Sequence, residues 1–139
     1  MNKAELIHEL QEEMMITLKP SGVHGIGVFA ACDIPKGYKT LFSRNTGGWI
    51  LLSFAEAEKL PPQAKEYIET YYLYDQENYF IPDYGCKIMD MANYLNHSNN
   101  PNIVSVNEGE YFETLRDIKQ GEELFVDYGE IVEGVESYR

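Results

Sequence analysis

The chain has 139 residues, 44% of them hydrophobic, which is enough for one domain with its own core and excludes a compositionally disordered polymer. Eleven basic against twenty-three acidic residues leave a net charge of −12. Phosphate backbones need clustered Lys and Arg, so this balance disfavours nucleic acid as the main partner and suits a basic polypeptide, although the same charge also serves solubility alone.

Cys32 and Cys86 are the only cysteines, too few for a structural zinc site, and no Cys-x-x-Cys occurs. His8, His24 and His97 lack metal-ligand spacing, and the acidic residues lack a calcium-loop pattern, so no metal is expected. With no signal-peptide pattern and no long apolar run, the expectation is a soluble, cytoplasmic chain away from membranes, with both thiols free and reduced.

In chain order, Asn2 and Glu5 have capping-box spacing, and Leu6, Leu10 and Met14 recur every four residues. This predicts an amphipathic helix over residues 1–15. Its stripe is expected to pack on the domain; left free, it offers a face for a partner or a homodimer. Ile16 to Lys19 and Val28 to Ala31 read as strands flanking Gly25-Ile26-Gly27. Asp33-Ile34-Pro35-Lys36-Gly37 is a turn, with a strand predicted from Lys39 to Phe42. Asp117-Ile118-Lys119-Gln120-Gly121 echoes that turn before a strand from Glu122 to Val126.

Trp49 to Leu52 is β-prone, Ser53 and Glu56 form a second capping-box signal, Pro61-Pro62 ends that helix, and Gln63 to Tyr72 reads as another. Residues 44–75 therefore form a partly helical insertion. Tyr79 to Ile81 is a strand, and Asn102 to Val106 with Tyr111 to Leu115 makes a hairpin around Asn107-Glu108-Gly109. The sum is mainly β with peripheral short helices. No regular βαβ alternation exists, which disfavours a doubly wound nucleotide fold.

Gly25-Ile26-Gly27 permits close backbone approach to a ligand but lacks the third glycine of the dinucleotide fingerprint, and alone it reads as an ordinary turn. Asn96-His97-Ser98 can present donors and acceptors, and Glu123-Leu124-Phe125-Val126-Asp127-Tyr128 follows thirty residues later. In isolation a His near Pro101 reads as a turn residue and Tyr128 as a core tyrosine. In this order the three segments resemble the SET domain family, which transfers methyl groups from S-adenosylmethionine to protein lysines.

The resemblance implies small curved sheets of the β-clip type, with a threaded C-terminal segment, over residues 16–139. It implies that His24, Gly25, Ile26, Gly27, Asn96 and His97 hold the cofactor, joined by the aromatic Tyr79. Tyr128 becomes the catalytic residue, and Tyr94 and Val126 line the substrate channel. The tail over residues 130–139 puts Ile131, Val135 and Tyr138 on one helical face, which fits a C-terminal lid with Tyr138 against the cofactor, or equally a frayed end.

Three positions depart from the family pattern. Asn99 stands where Cys is common, Asn93 where Arg is common, and Val126 where Phe or Tyr is common. The small Val126 implies a roomy site that admits more than one methylation. The chain lacks cysteine-rich flanks, so the resemblance implies a minimal stand-alone lysine methyltransferase acting on a basic, lysine-containing protein or peptide. A SET-like module that binds peptide or cofactor without turnover is the alternative, and a small β-rich interaction protein the third.

Overall fold

The computed structural model describes residues 1–43, 48–107 and 110–131. The first helix, α1 (Lys3–Glu12), starts where predicted: Asn2 Oδ1 accepts from Glu5 N at 2.8 Å, and the Glu5 carboxylate accepts from the Asn2 backbone in return. Its apolar stripe does not pack on the domain as expected, since Leu6, Ile7, Leu10 and Met14 are all exposed. Met14, with Glu9 and Glu13, lines a groove of about 360 Å³ that also takes in Ile16, Leu41 and the segment from Tyr84 to Met91. The helix edges that groove instead of closing a core.

The strands among the described residues are β1 (Ile16–Pro20), β2 (Ile26–Ala30), β3 (Trp49–Ser53), β4 (Asn78–Pro82), β5 (Asn96–His97), β6 (Ile103–Val106), β7 (Tyr111–Thr114) and β8 (Glu123–Val126). They form a four-stranded sheet in the order β1-β2-β8-β5 and two hairpin-like pairs, β3-β4 and β6-β7. The main core is gathered by Val28, Ile34, Ile103, Ile118, Leu124 and Val126. A smaller cluster of Ile68, Tyr72 and Ile81 supports the insertion. The insertion carries β3, α2 (Phe54–Glu58) and α3 (Pro62–Tyr71), while its residues 44–47 lie outside the described residues. Ser53 caps α2 through the predicted box with Glu56, and Pro62 begins α3, where a missing N–H costs nothing.

The two Asp-Ile-x-x-Gly turns prove to be partners. Ile34 and Ile118 exchange backbone hydrogen bonds of 2.8 Å in both directions. Asp117 Oδ1 accepts from Lys36 N, and Asp33 Oδ1 accepts from Gln120 N, each at 2.8 Å. Gly37 at φ +81° and Gly121 at φ +90° take the left-handed conformation that closes each turn. Gly37 N then donates to Thr114 O and Gly121 N to Ala30 O, both at 2.9 Å. The short sequence echo is thus a local two-fold relation, with Ile34 and Ile118 buried between two exposed turns.

The strand expected from Lys39 to Phe42 does not form. Thr114 Oγ1 accepts from Tyr38 N at 2.8 Å and donates to Pro35 O at 2.7 Å, so a side chain takes the place where a ladder would continue. Burial of Leu41 holds the segment instead. β2 begins two residues earlier than predicted, at Ile26. The short 3-10 helix Met91–Tyr94, capped by Asp90, carried no recognised signal.

The C-terminal strand is threaded. β8 pairs antiparallel with β2 and parallel with β5, with Asn96 opposite Phe125 and His97 opposite Val126. The segment after β5 crosses it: Ser98 N donates to Val126 O at 3.1 Å and Asn102 N to Phe125 O at 3.2 Å. Asn102, 2% exposed, also accepts from Phe125 N and donates to Glu123 O through its side chain, both at 2.8 Å. A buried amide with both ends satisfied fixes where β8 sits. Among the described residues, no helix is long and apolar enough to cross a membrane, and no three His, Cys, Asp or Glu gather to hold a metal.

Candidate active site

The glycine loop is shaped by Ser21. Its Oγ accepts from Val23 N at 3.0 Å and His24 N at 3.3 Å, while Ser21 N donates to Gly25 O at 2.7 Å. Gly25 sits at φ +51°, a region that side chains rarely adopt. Gly27 is glycine for space: a Cβ there would land on the Glu123 carboxylate. The loop therefore presents backbone carbonyls at close range. His24 O accepts from Asn96 Nδ2 at 3.0 Å, and Ile26 O lies 3.5 Å from the same nitrogen.

Asn96 is 6% exposed and sits on β5 beside the end of β8. Its amide nitrogen also donates to Glu123 Oε2 at 2.8 Å. Side chains alternate along a strand, so Glu123 and Phe125 share one face of β8 while Leu124 and Val126 share the other. Asn96 and Glu123 thereby meet the glycine loop, and Leu95 and Val126 turn toward a different space.

That space is a cavity of about 510 Å³ lined by Val126, Leu95, Tyr128, Tyr71, Phe80 and Phe112 among others, with Asp90 and Glu110 adding acidic groups. Tyr84 is also in its wall. Burial pushes the Tyr84 phenol up, and the negative charges of Asp90 and Asp83 push it the same way. Those two carboxylates attract a cation, whereas burial disfavours either charge.

Tyr128 joins the two spaces. It opens the short helix α4 (Tyr128–Ile131), immediately after β8. Its hydroxyl donates to Leu95 O at 2.6 Å, one residue from Asn96, and its backbone N–H donates to His97 Nδ1 at 3.1 Å. Since Nδ1 accepts, the ring hydrogen belongs on Nε2, which lies 3.0 Å from Asn99 Oδ1 and donates to it. The unusual Asn99 has a use here: it fixes the imidazole that fixes the Tyr128 backbone.

A family model described as SET domain matches residues 25–129. The chain belongs to the SET domain family. Among solved structures, apo ctPRC2 with mutations in Ezh2 matches at 24% identity and a TM-score of 0.58, covering 91% of this chain and 18% of that one. A humanized mutant of the Chaetomium thermophilum Polycomb Repressive Complex 2 bound to an inhibitor matches at 25% identity and a TM-score of 0.56, covering 91% and 17%. ctPRC2 in an autoinhibited conformation bound to S-adenosylmethionine matches at 24% and 0.56, covering 91% and 18%. This SET domain thus spans less than a fifth of the length of those chains. No curated protein matches it.

Within this SET domain, His24, Gly25, Ile26, Gly27, Asn96 and His97 are brought together at the junction of β2, β5 and β8. Val126 lines the cavity beside Tyr128. Tyr94 lies on the 3-10 helix, packed against the main core and 6.4 Å from the Tyr71 ring, while its neighbours Asn93 and Leu95 line the cavity. Tyr79 packs against Phe54 at 5.1 Å and Tyr74 at 5.7 Å, on the opposite face of β4 from cavity-lining Phe80 and Pro82. Tyr138 and the lid expected over residues 130–139 fall outside the described residues from residue 132 on. Sequence reasoning did not assign Glu123, Ser21 or the Leu95 carbonyl. Glu123 stood inside the quoted motif, and its signal was a carboxylate in an otherwise apolar strand.

Proposed function

We propose that this SET domain transfers methyl groups from S-adenosylmethionine to the side-chain amine of a lysine in a basic protein or peptide. The observation that supports it most is the meeting at Leu95–Asn96, where the Tyr128 hydroxyl reaches one residue and the glycine loop reaches the next, at 2.6 and 3.0 Å. The residues fit the cofactor's chemistry. Asn96 Oδ1 accepts no hydrogen bond from the described residues, so an acceptor is left for an ammonium group. The His24 carbonyl lies beside it, and the loop there carries no Cβ at Gly25 or Gly27. When bound, S-adenosylmethionine supplies an electrophilic methyl on a sulfonium sulfur.

His24, Gly25, Ile26, Gly27, Asn96 and His97 hold that group in this reading, with Tyr138 as a further aromatic contact, while Tyr79 packs instead against Phe54 and Tyr74 in the insertion. Asp90 and Glu110 draw a lysine into the cavity from the other side. Lysine is a nucleophile only when neutral, and an apolar channel beside a sulfonium charge favours that form. Tyr128 acts by placement: its hydroxyl, locked on Leu95 O, sets one wall of the passage between amine and methyl. Val126 shapes the channel around the lysine, and Tyr94 packs against the core between the lining residues Asn93 and Leu95.

The test is transfer of labelled methyl from S-adenosylmethionine to lysine-rich peptides. Tyr128→Phe is expected to lower kcat roughly 100-fold, the scale of a misplaced reacting group, with cofactor affinity kept. Asn96→Ala is expected to weaken cofactor affinity first. Cofactor binding by the unaltered protein, with no transfer to any of a broad peptide panel, would favour a binding module instead.

A further inference from the structure

Glu123 is a half-buried carboxylate aimed at the glycine loop, and both of its partners are donors. Ser21 Oγ lies 2.8 and 3.0 Å from its two oxygens, and Asn96 Nδ2 lies 2.8 Å from Oε2. Ser21 Oγ already accepts from Val23 N and His24 N, so its own hydrogen is what it gives to Glu123. Asn96 Nδ2 has two hydrogens, and they go to Glu123 and His24 O. With the nitrogen committed to two acceptors, the amide is held in one orientation, and its oxygen has no donor among the described residues.

We infer that Glu123 is a positioning residue, one that holds Asn96 oxygen-outward and so makes the loop selective for a ligand carrying an α-ammonium group. The inference rests on the methyl-transfer reading only for the identity of that ligand. The sequence has adapted to the contact on both sides. Gly27 makes room for the carboxylate, and Ser21 ties it to the turn that sets His24 O. Glutamine is nearly the same size, yet its amide nitrogen would set a donor against either the Ser21 hydroxyl or the Asn96 amide.

The test measures affinity by calorimetry in the full chain, for S-adenosylhomocysteine and for the same thioether lacking its α-amino group. The unaltered protein is expected to prefer the amine-bearing ligand. Glu123→Gln is expected to weaken that ligand roughly 10-fold, the scale of one hydrogen bond to a charged group, and to change the desamino ligand less than about twofold. Glu123→Asp keeps an acceptor-only group on a shorter arm, so it is expected to retain part of the preference, and it carries the test if Glu123→Gln does not fold. Equal weakening of both ligands would assign Glu123 a purely structural role and overturn the inference, as would an unchanged preference. If the unaltered protein binds neither ligand, the methyl-transfer reading itself falls, and the inference with it.

Discussion

Val126 is fully buried and lines the cavity beside Tyr128, in a place where a larger ring would narrow the space around a lysine nitrogen. Its side chain has no hydrogen-bonding atom, so it cannot hold a partly methylated amine in an unreactive orientation. Saturated reactions are therefore expected to carry peptide beyond the monomethyl stage, and Val126→Phe to stop at or near one methyl. Mass spectrometry of the intact peptide decides it; monomethyl product alone from the unaltered protein would refute the account of this residue. The sequence put Tyr128, Asn96 and His97 forward as the residue types such a site needs, and the structure brings the three close together. Glu123 and Ser21 were not put forward, because their importance lies in which donors converge on them. A carboxylate's partners 27 and 102 positions away leave no periodic trace.

Helix starts could be read at the element scale because their signals are local. Asn2 with Glu5 and Ser53 with Glu56 both cap as predicted. The repeated Asp-Ile-x-x-Gly turns were visible as well, although that they pair with each other was not. Nor could the sequence announce that Thr114 would end the ladder at Tyr38, or that two residues, Asn96 and His97, would count as a strand. The paired turns yield a sharp expectation. Asp33 and Asp117 each accept one backbone N–H from the opposite turn, at the same distance. Asp33→Ala and Asp117→Ala should each cost about 1 kcal/mol in urea unfolding, the usual worth of one such hydrogen bond. Costs differing by more than about 1 kcal/mol would contradict the two-fold relation as an energetic fact.

For the whole molecule, threading of β8 between β2 and β5 brings the loop, Asn96 and Tyr128 to one place, and no window of sequence contains that pairing. The resemblance to a family supplied it. Stability of the supporting insertion has a pH signature of its own. Tyr72 is 2% exposed, with its hydroxyl on Cys86 O at 3.2 Å. Burial above all, then that hydrogen bond, pushes its phenol well above the ordinary value, and burial also raises Tyr79. Both titrate higher folded than unfolded. The stability they confer is complete below the unfolded value of roughly 10 and is lost as pH rises through the folded values. The thermal midpoint should fall steeply above pH about 10, and less steeply in Tyr72→Phe; identical slopes would contradict it.

The central claim is that the glycine loop with Asn96, and Tyr128 with its cavity, serve a single ligand and a single lysine. A crystal structure with S-adenosylhomocysteine bound tests it most directly. The account predicts the amino-acid end of the ligand on His24 O and Asn96 Oδ1, with its sulfur turned toward the Tyr128 hydroxyl. A ligand seated elsewhere, or one that touches Asn96 while its sulfur points away from Tyr128, would contradict it.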